Sequence, residues 1–163
     1  MIKHGILDLE YKNGLMKIKT ESNRSGMTTP QQFKLPLKIE LRAKTDNTKG
    51  RITIMYAKGE MALNWDHIPT TLLVSDISDG KYVFYKKRGQ IPVDEFVDIE
   101  WILGKDVTAI KMNGEIRNIS DDFGYIRAFE ENPDINLLSS IIIAAAWGSG
   151  STLTVEKLRV TEI

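Results

Sequence analysis

The feature that most limits what this chain can become is an apolar period of two, interrupted every few residues by turn signals. "LPLKIELRAKT" sets Leu37, Ile39, Leu41 and Ala43 on one parity and Lys38, Glu40, Arg42 and Lys44 on the other. That is a strand with one dry face and one wet face. "EFVDIEWIL" repeats the pattern, with Val97, Ile99, Trp101 and Leu103 opposite Phe96, Asp98, Glu100 and Ile102. Three hairpins are expected. "RITIMYA" and "EMALNW" flank Lys58-Gly59, and "TLLVSDI" and "KYVFYKK" flank a turn tipped by Asp79-Gly80. "DVTAIKM" and "EIRNI" flank Asn113-Gly114, a pair that accepts the positive φ of a two-residue turn. In "STLTVEKLRVTEI" the apolar parity changes after Val155, which predicts a bulge near Glu156-Lys157.

No stretch holds a helical period over three turns, and only a short helical turn is expected, near 128–131. Ten to twelve short strands and no long helix predict an all-β, antiparallel two-sheet jelly-roll sandwich. A length of 163 residues suits one domain, taken as 1–163, with a sizeable core. Ile39, Leu41, Ile99, Trp101, Ile143 and Val155 are the expected core.

Composition narrows the function. Lys+Arg and Asp+Glu are both 22, with no basic stripe, so a nucleic-acid partner is not expected. "KKR" at Lys86–Arg88 reads as a solvated strand end. The chain has no cysteine, which removes thiolate chemistry and fits a reducing compartment; the expected location is cytoplasmic. "IIIAAAW", Ile141–Trp147, is too short to cross a bilayer, so no membrane partner is expected. His4 and His67 lack metal-ligand spacing, and "DISDG" lacks a calcium-loop pattern, so neither metal nor cofactor is expected. The oligomeric state is left open.

"WILGKDVTAIKMNGE" and "AAAWGSGSTLTVEKLRVTEI" resemble segments of concanavalin A-like lectin/glucanase and laminin-G-like domains: a long strand entering an Asn-Gly hairpin, and the closing strands of the sandwich. The resemblance spans roughly residues 33–163. "LNW" at Leu63–Trp65 and "IPVDEFVDIEW" at Ile91–Trp101 are similar to bacterial domains of this type that are taken as carbohydrate-binding modules. The resemblance implies the sandwich and a carbohydrate or other polar small-molecule ligand. The superfamily also holds glycosidases, lyases and protein-binding modules.

Four constellations are candidates. Asp98 and Glu100 lie two apart on a strand, about 6.5 Å between Cα atoms, so their carboxyls could meet the roughly 5–5.5 Å of a retaining glycosidase. They could equally be the wet face of an ordinary strand. Glu95, Asp98 and Glu100 do not reproduce the "ExDxxE" spacing of jelly-roll glucanases. In "NWDHIP", parity sets Trp65 toward the core and Asn64 and Asp66 outward. In "DDFGYIRAF", Tyr125 and Arg127 could cap a groove, or Phe123 and Phe129 could tuck the loop onto the sheet. In "AAAWGSG", Ala144, Ala146 and Gly148 make a face with almost no bulk, and Trp147 points to the core. The expected function is non-catalytic carbohydrate binding through Asn64, Asp66, Asp98, Glu100, Tyr125 and Arg127. The alternatives are a small glycoside hydrolase using Asp98 and Glu100, and a protein-interaction or structural module.

Overall fold

The computed structural model describes residues 2–4, 8–12, 14–20, 26–65, 70–77, 80–121, 130, 138–145 and 150–163. In chain order the strands are β1 (Ile2–His4), β2 (Asp8–Lys12), β3 (Leu15–Lys19), β4 (Gly26–Lys34), β5 (Leu37–Thr45), β6 (Ile52–Tyr56), β7 (Gly59–Leu63), β8 (Thr71–Ser75), β9 (Tyr82–Lys86), β10 (Val97–Leu103), β11 (Thr108–Met112), β12 (Glu115–Ser120), β13 (Leu138–Ala145) and β14 (Thr152–Glu162). They form two antiparallel seven-stranded sheets. The front sheet runs β1-β4-β13-β6-β7-β8-β9, and the back sheet runs β12-β11-β10-β5-β14-β3-β2.

Alternation decides what lies between the sheets. Leu37, Ile39, Leu41 and Ala43 of β5 and Val97, Ile99, Trp101 and Leu103 of β10 are buried from one side. Ile52, Ile54 and Tyr56 of β6, Met61 and Leu63 of β7, and Ile141 and Ile143 of β13 meet them from the other. All six expected core residues are buried. Each such side chain stabilises the fold by about 1.5–3 kcal/mol. The register of β14 against β5 shifts between Val155 and Lys157, where the bulge was expected.

Asn113 and Gly114 take φ of 51° and 79°, so the Asn-Gly hairpin forms as read. Asn113 also clamps the start of β10: its Oδ1 accepts from the Asp98 N–H at 2.8 Å, and its N–H donates to the Asp98 carbonyl at 2.7 Å. The β6–β7 turn differs from expectation. Tyr56 pairs with Gly59, so the turn residues are Ala57 and Lys58, with Ala57 at φ 52°. Gly59 opens β7, where a Cβ would sit 2.4 Å from the Ile77 side chain. Gly80 turns at φ 74° in the next hairpin, and its partner Asp79 lies outside the described residues. So does the helical turn expected over 128–131, apart from Glu130.

Candidate functional site

The outer face of the back sheet carries Asp98 and Glu100, as parity required. Arg42 of β5 reaches Asp98 at 2.9 Å and also pairs with Glu156 of β14. Lys38 lies 3.3 Å from Glu40 and 3.8 Å from Glu100, and Lys44 lies 2.7 Å from Asp94. Arg42 and Lys44 also flank the Phe96 ring, at 5.4 and 5.3 Å from its centroid. Hydrogen bonds to Glu156 and then Asp98 push the Arg42 pKa up. The hydrogen bond from Lys44 pulls Asp94 below its ordinary value. Asp98 keeps 62% of its side chain in solvent. The hollow beside these groups is about 260 Å³ and is lined by Glu40, Arg42, Asp98, Glu100 and Lys157 among others. A retaining glycosidase needs two carboxyls facing each other across a substrate cleft. Here each carboxylate faces a cation.

Asn64 lies elsewhere, at the end of β7 in the front sheet, and is 5% exposed. Its Nδ2 donates to the carbonyls of Thr48 at 2.9 Å and Gly50 at 2.6 Å, so both amide hydrogens hold the β5–β6 connection. Asn64 and the Asp98–Glu100 pair therefore do not share a face. Asp66, Tyr125 and Arg127 lie outside the described residues, as do Ala146, Trp147 and Gly148.

Asn64 also redirects Trp65. Its φ is 57°, a left-handed conformation that asparagine accepts more readily than most residues. Strand alternation ends there, and Trp65 leaves the core parity it shares with Met61 and Leu63. The indole is half-buried on the outer side, with the Arg51 guanidinium 4.3 Å from its ring centroid. Its ring centroid is 6.3 Å from Phe84, tilted by 48°. Phe84 in turn lies 6.5 Å from Tyr82, at an interplanar angle of 27°. Phe84 is 54% exposed and Tyr82 57%. Trp65, Thr71, Phe84 and Lys86 line a depression of about 370 Å³.

Next to these rings the outward positions of the central strands are buried, Ala62 and Leu73 at 0% and Ala144 at 1%. One register row runs Gly26–Ala144–Thr53–Ala62–Leu73–Phe84 across β4, β13, β6, β7, β8 and β9. Its first four members have small side chains, Ala144 being the one the sequence singled out. The adjacent row runs Thr28–Ile142–Met55–Glu60. Glu60 is 5% exposed, and it is the single carboxylate on the described strands of this sheet. Sequence reasoning missed Tyr82 and Phe84 because "KYVFYK" is apolar on both parities. The available signal was Lys86, which shares their parity and marks it as the outward one.

No family model matches the chain, and no curated protein does. Solved structures do. A carbohydrate-binding module from Bacillus subtilis superposes with a TM-score of 0.65 at 10% identity, over 96% of this chain and 92% of that one. The chain has a concanavalin A-like jelly-roll fold. A prokaryotic β-1,3-1,4-glucanase (lichenase) derived from a mouse hindgut metagenome gives 0.66 at 15% identity, over 95% and 83% of the two chains. A sialidase gives 0.64 at 8% identity over 96% of this chain, which spans only 16% of that protein. At such identities the likeness establishes the jelly roll alone.

Proposed function

We propose that this concanavalin A-like domain binds a carbohydrate without catalysis, on the outer face of the front sheet, with Trp65, Phe84 and Tyr82 as its platform. The observation that carries this is the exposure of two neighbouring rings on β9, Phe84 and Tyr82, beside the half-buried Trp65. Adjacent exposed rings on a soluble domain are a common mark of a binding surface. The C–H face of a pyranose lies flat on an aromatic ring and removes apolar area from water on both sides. Lys86 stands at the edge of the same depression, where its ammonium offers hydrogen bonds to ring hydroxyls.

The non-catalytic part of the reading rests on the acids. The described strands of the front sheet offer Glu60 alone, and hydrolysis by either common glycosidase geometry uses two carboxyls. Asp98 and Glu100 are engaged with cations on the opposite face.

The test is a calorimetric titration with neutral oligosaccharides of the β-glucan, xylan and mannan types. At least one should bind, and Phe84→Ala should weaken that binding about tenfold or more with the melting curve nearly unchanged. Release of reducing ends that stops on Glu100→Gln would establish the hydrolase instead.

A further inference from the structure

A further pocket is not on either sheet face. It lies at the end of the sandwich and measures about 500 Å³. That is within the roughly 300–1,000 Å³ typical of small-molecule sites. Asn64 and Thr70 line it from the front sheet, Ile91 and Pro92 from the β9–β10 connection, and Met112 and Arg117 from the β11–β12 hairpin.

The rim is fixed by backbone hydrogen bonds. The Asn64 N–H donates to the Gly89 carbonyl at 2.6 Å, and the Lys87 N–H donates to the Thr70 carbonyl at 2.7 Å. Gly89 is needed there, since a Cβ would stand 2.1 Å from the Thr71 carbonyl oxygen. Across the two sheets, Arg117 Nη1 donates to the Arg88 carbonyl at 3.1 Å and Arg88 Nη1 returns a longer bond to the Arg117 carbonyl at 3.4 Å. A pocket framed this way is largely formed before any ligand arrives.

Three polar atoms of its wall are buried without a hydrogen-bond partner: Asn64 Oδ1, Thr70 Oγ1 and Arg117 Nε. Native proteins leave few such atoms, and a cluster of them at one pocket calls for a reason. Their chemistry specifies what would satisfy them. Both Asn64 amide hydrogens are committed to backbone carbonyls, so only Oδ1 is left, and it can only accept. Arg117 Nε can only donate, and it does so best to an anion. The Thr70 hydroxyl serves either way. None of the described lining residues is acidic, and the one carboxylate paired with Arg117 is the exposed Glu115, 3.7 Å from Nη2 rather than at Nε. Ile91, Pro92 and Met112 supply an apolar wall for a C–H face.

We propose that this end pocket is a second ligand site, for a small hydroxylated carboxylate of the sugar-acid class. The carboxylate pairs with Arg117, a hydroxyl donates to Asn64 Oδ1, and Thr70 bonds a second hydroxyl after small side-chain adjustments that bring these atoms to the pocket surface. A free sugar acid and the terminal uronate of a glycan share this chemistry. The proposal does not rest on the aromatic platform.

The experiment is an NMR titration of the full chain, following the methyl signals of Ile91 and Met112. The probes are D-galacturonate, its methyl ester, D-galactose and digalacturonate. Galacturonate should shift those methyls saturably, and the ester and galactose should bind at least about tenfold more weakly. Arg117→Gln should erase the advantage of the acid over the ester. Thr70→Val, which keeps the side-chain shape, should weaken galacturonate severalfold and carries the test if Arg117→Gln does not fold. Tighter binding of digalacturonate would identify a glycan terminus as the source, and tighter binding of the monomer a free acid. The proposal is overturned if galacturonate gives no saturable shift, if acid and ester bind alike, or if the shifts fall on Trp65 and Phe84. That result would leave the platform standing, because the platform is read with neutral oligosaccharides.

Discussion

The two outer faces of this sandwich are built from strands of similar length and opposite chemistry. The described strands of the front sheet carry one acid, Glu60, and it is buried. Their outward positions are largely buried on the central strands, where Ala144, Thr53 and Ala62 are small, and exposed and aromatic on β9. On the back sheet, β5, β10 and β14 alternate acids and bases that pair across strands, and the most exposed apolar side chains are Ile116 and Ile119 of the β12 edge. Exposed ion pairs satisfy each other and contribute little. Such a face offers a ligand few groups that are not already engaged. The front face leaves ring surface uncovered, and covering it is where binding energy is available. A carboxylate pair in the sequence thus says less about function than the partners its neighbouring strands supply.

Five substitutions test that contrast, beginning with the core that both sheets share. Trp101→Ala should cost about 3–5 kcal/mol in a denaturant melt, since the ring is 1% exposed between the sheets. A cost below about 1 kcal/mol would mean that the sheets do not pack through β10. Matched outward positions should then diverge. Ala62→Leu on the front floor should destabilise by about 1–3 kcal/mol through overpacking. Glu40→Leu on the back face should stay within about 0.5 kcal/mol of wild type. Equal costs would erase the distinction between a packed face and a solvated one.

Tyr56 gives a smaller effect with a pH signature. Its hydroxyl donates to the Phe33 carbonyl at 2.8 Å, and burial, aided by the charge of Glu162, raises its pKa from 10.0 to about 12. A raised acid contributes stability that is complete below the unfolded value and disappears as pH climbs through the folded one. Stability should therefore fall between about pH 10 and pH 12. Tyr56→Phe should flatten that limb in a circular-dichroism titration and cost about 0.5–1.5 kcal/mol at neutral pH. The back face gives a further small effect. Glu100→Gln breaks a 3.8 Å pair with Lys38 and should move stability by less than about 1 kcal/mol. Asp94 acts at the acid end: Lys44 depresses its pKa, so its contribution is present above the ordinary carboxylate range and is lost as pH falls through the lowered value.

Much of this architecture was legible in the sequence because its determinants are local. Alternation in β5 and β10 reports one dry face directly, and Asn113-Gly114 reports a turn that only positive φ can close. The parity change after Val155 reports the bulge. The front site was less legible. Trp65 was assigned to the core by a parity that Asn64 interrupts, and nothing in "ALNWD" marks which asparagine will turn left-handed. Tyr82 and Phe84 were hidden in a strand apolar on both sides. The placement of Asp98 and Glu100 outward was correct, but their partners Arg42 and Lys38 are on β5, more than fifty residues earlier, and cross-strand pairing is not a local signal. Asn64 was expected beside them and instead belongs to the other sheet, where its amide serves the backbone.

The central claim is that the front face binds and the back face does not. A single calorimetric comparison tests it: one neutral oligosaccharide ligand titrated into wild type, Phe84→Ala and Glu100→Gln under identical conditions, each with its melting curve. The account predicts that Phe84→Ala weakens binding about tenfold or more, the equivalent of roughly 1.4 kcal/mol, while Glu100→Gln binds as wild type does and both variants melt normally. Intact binding in Phe84→Ala together with lost binding or lost turnover in Glu100→Gln would contradict it.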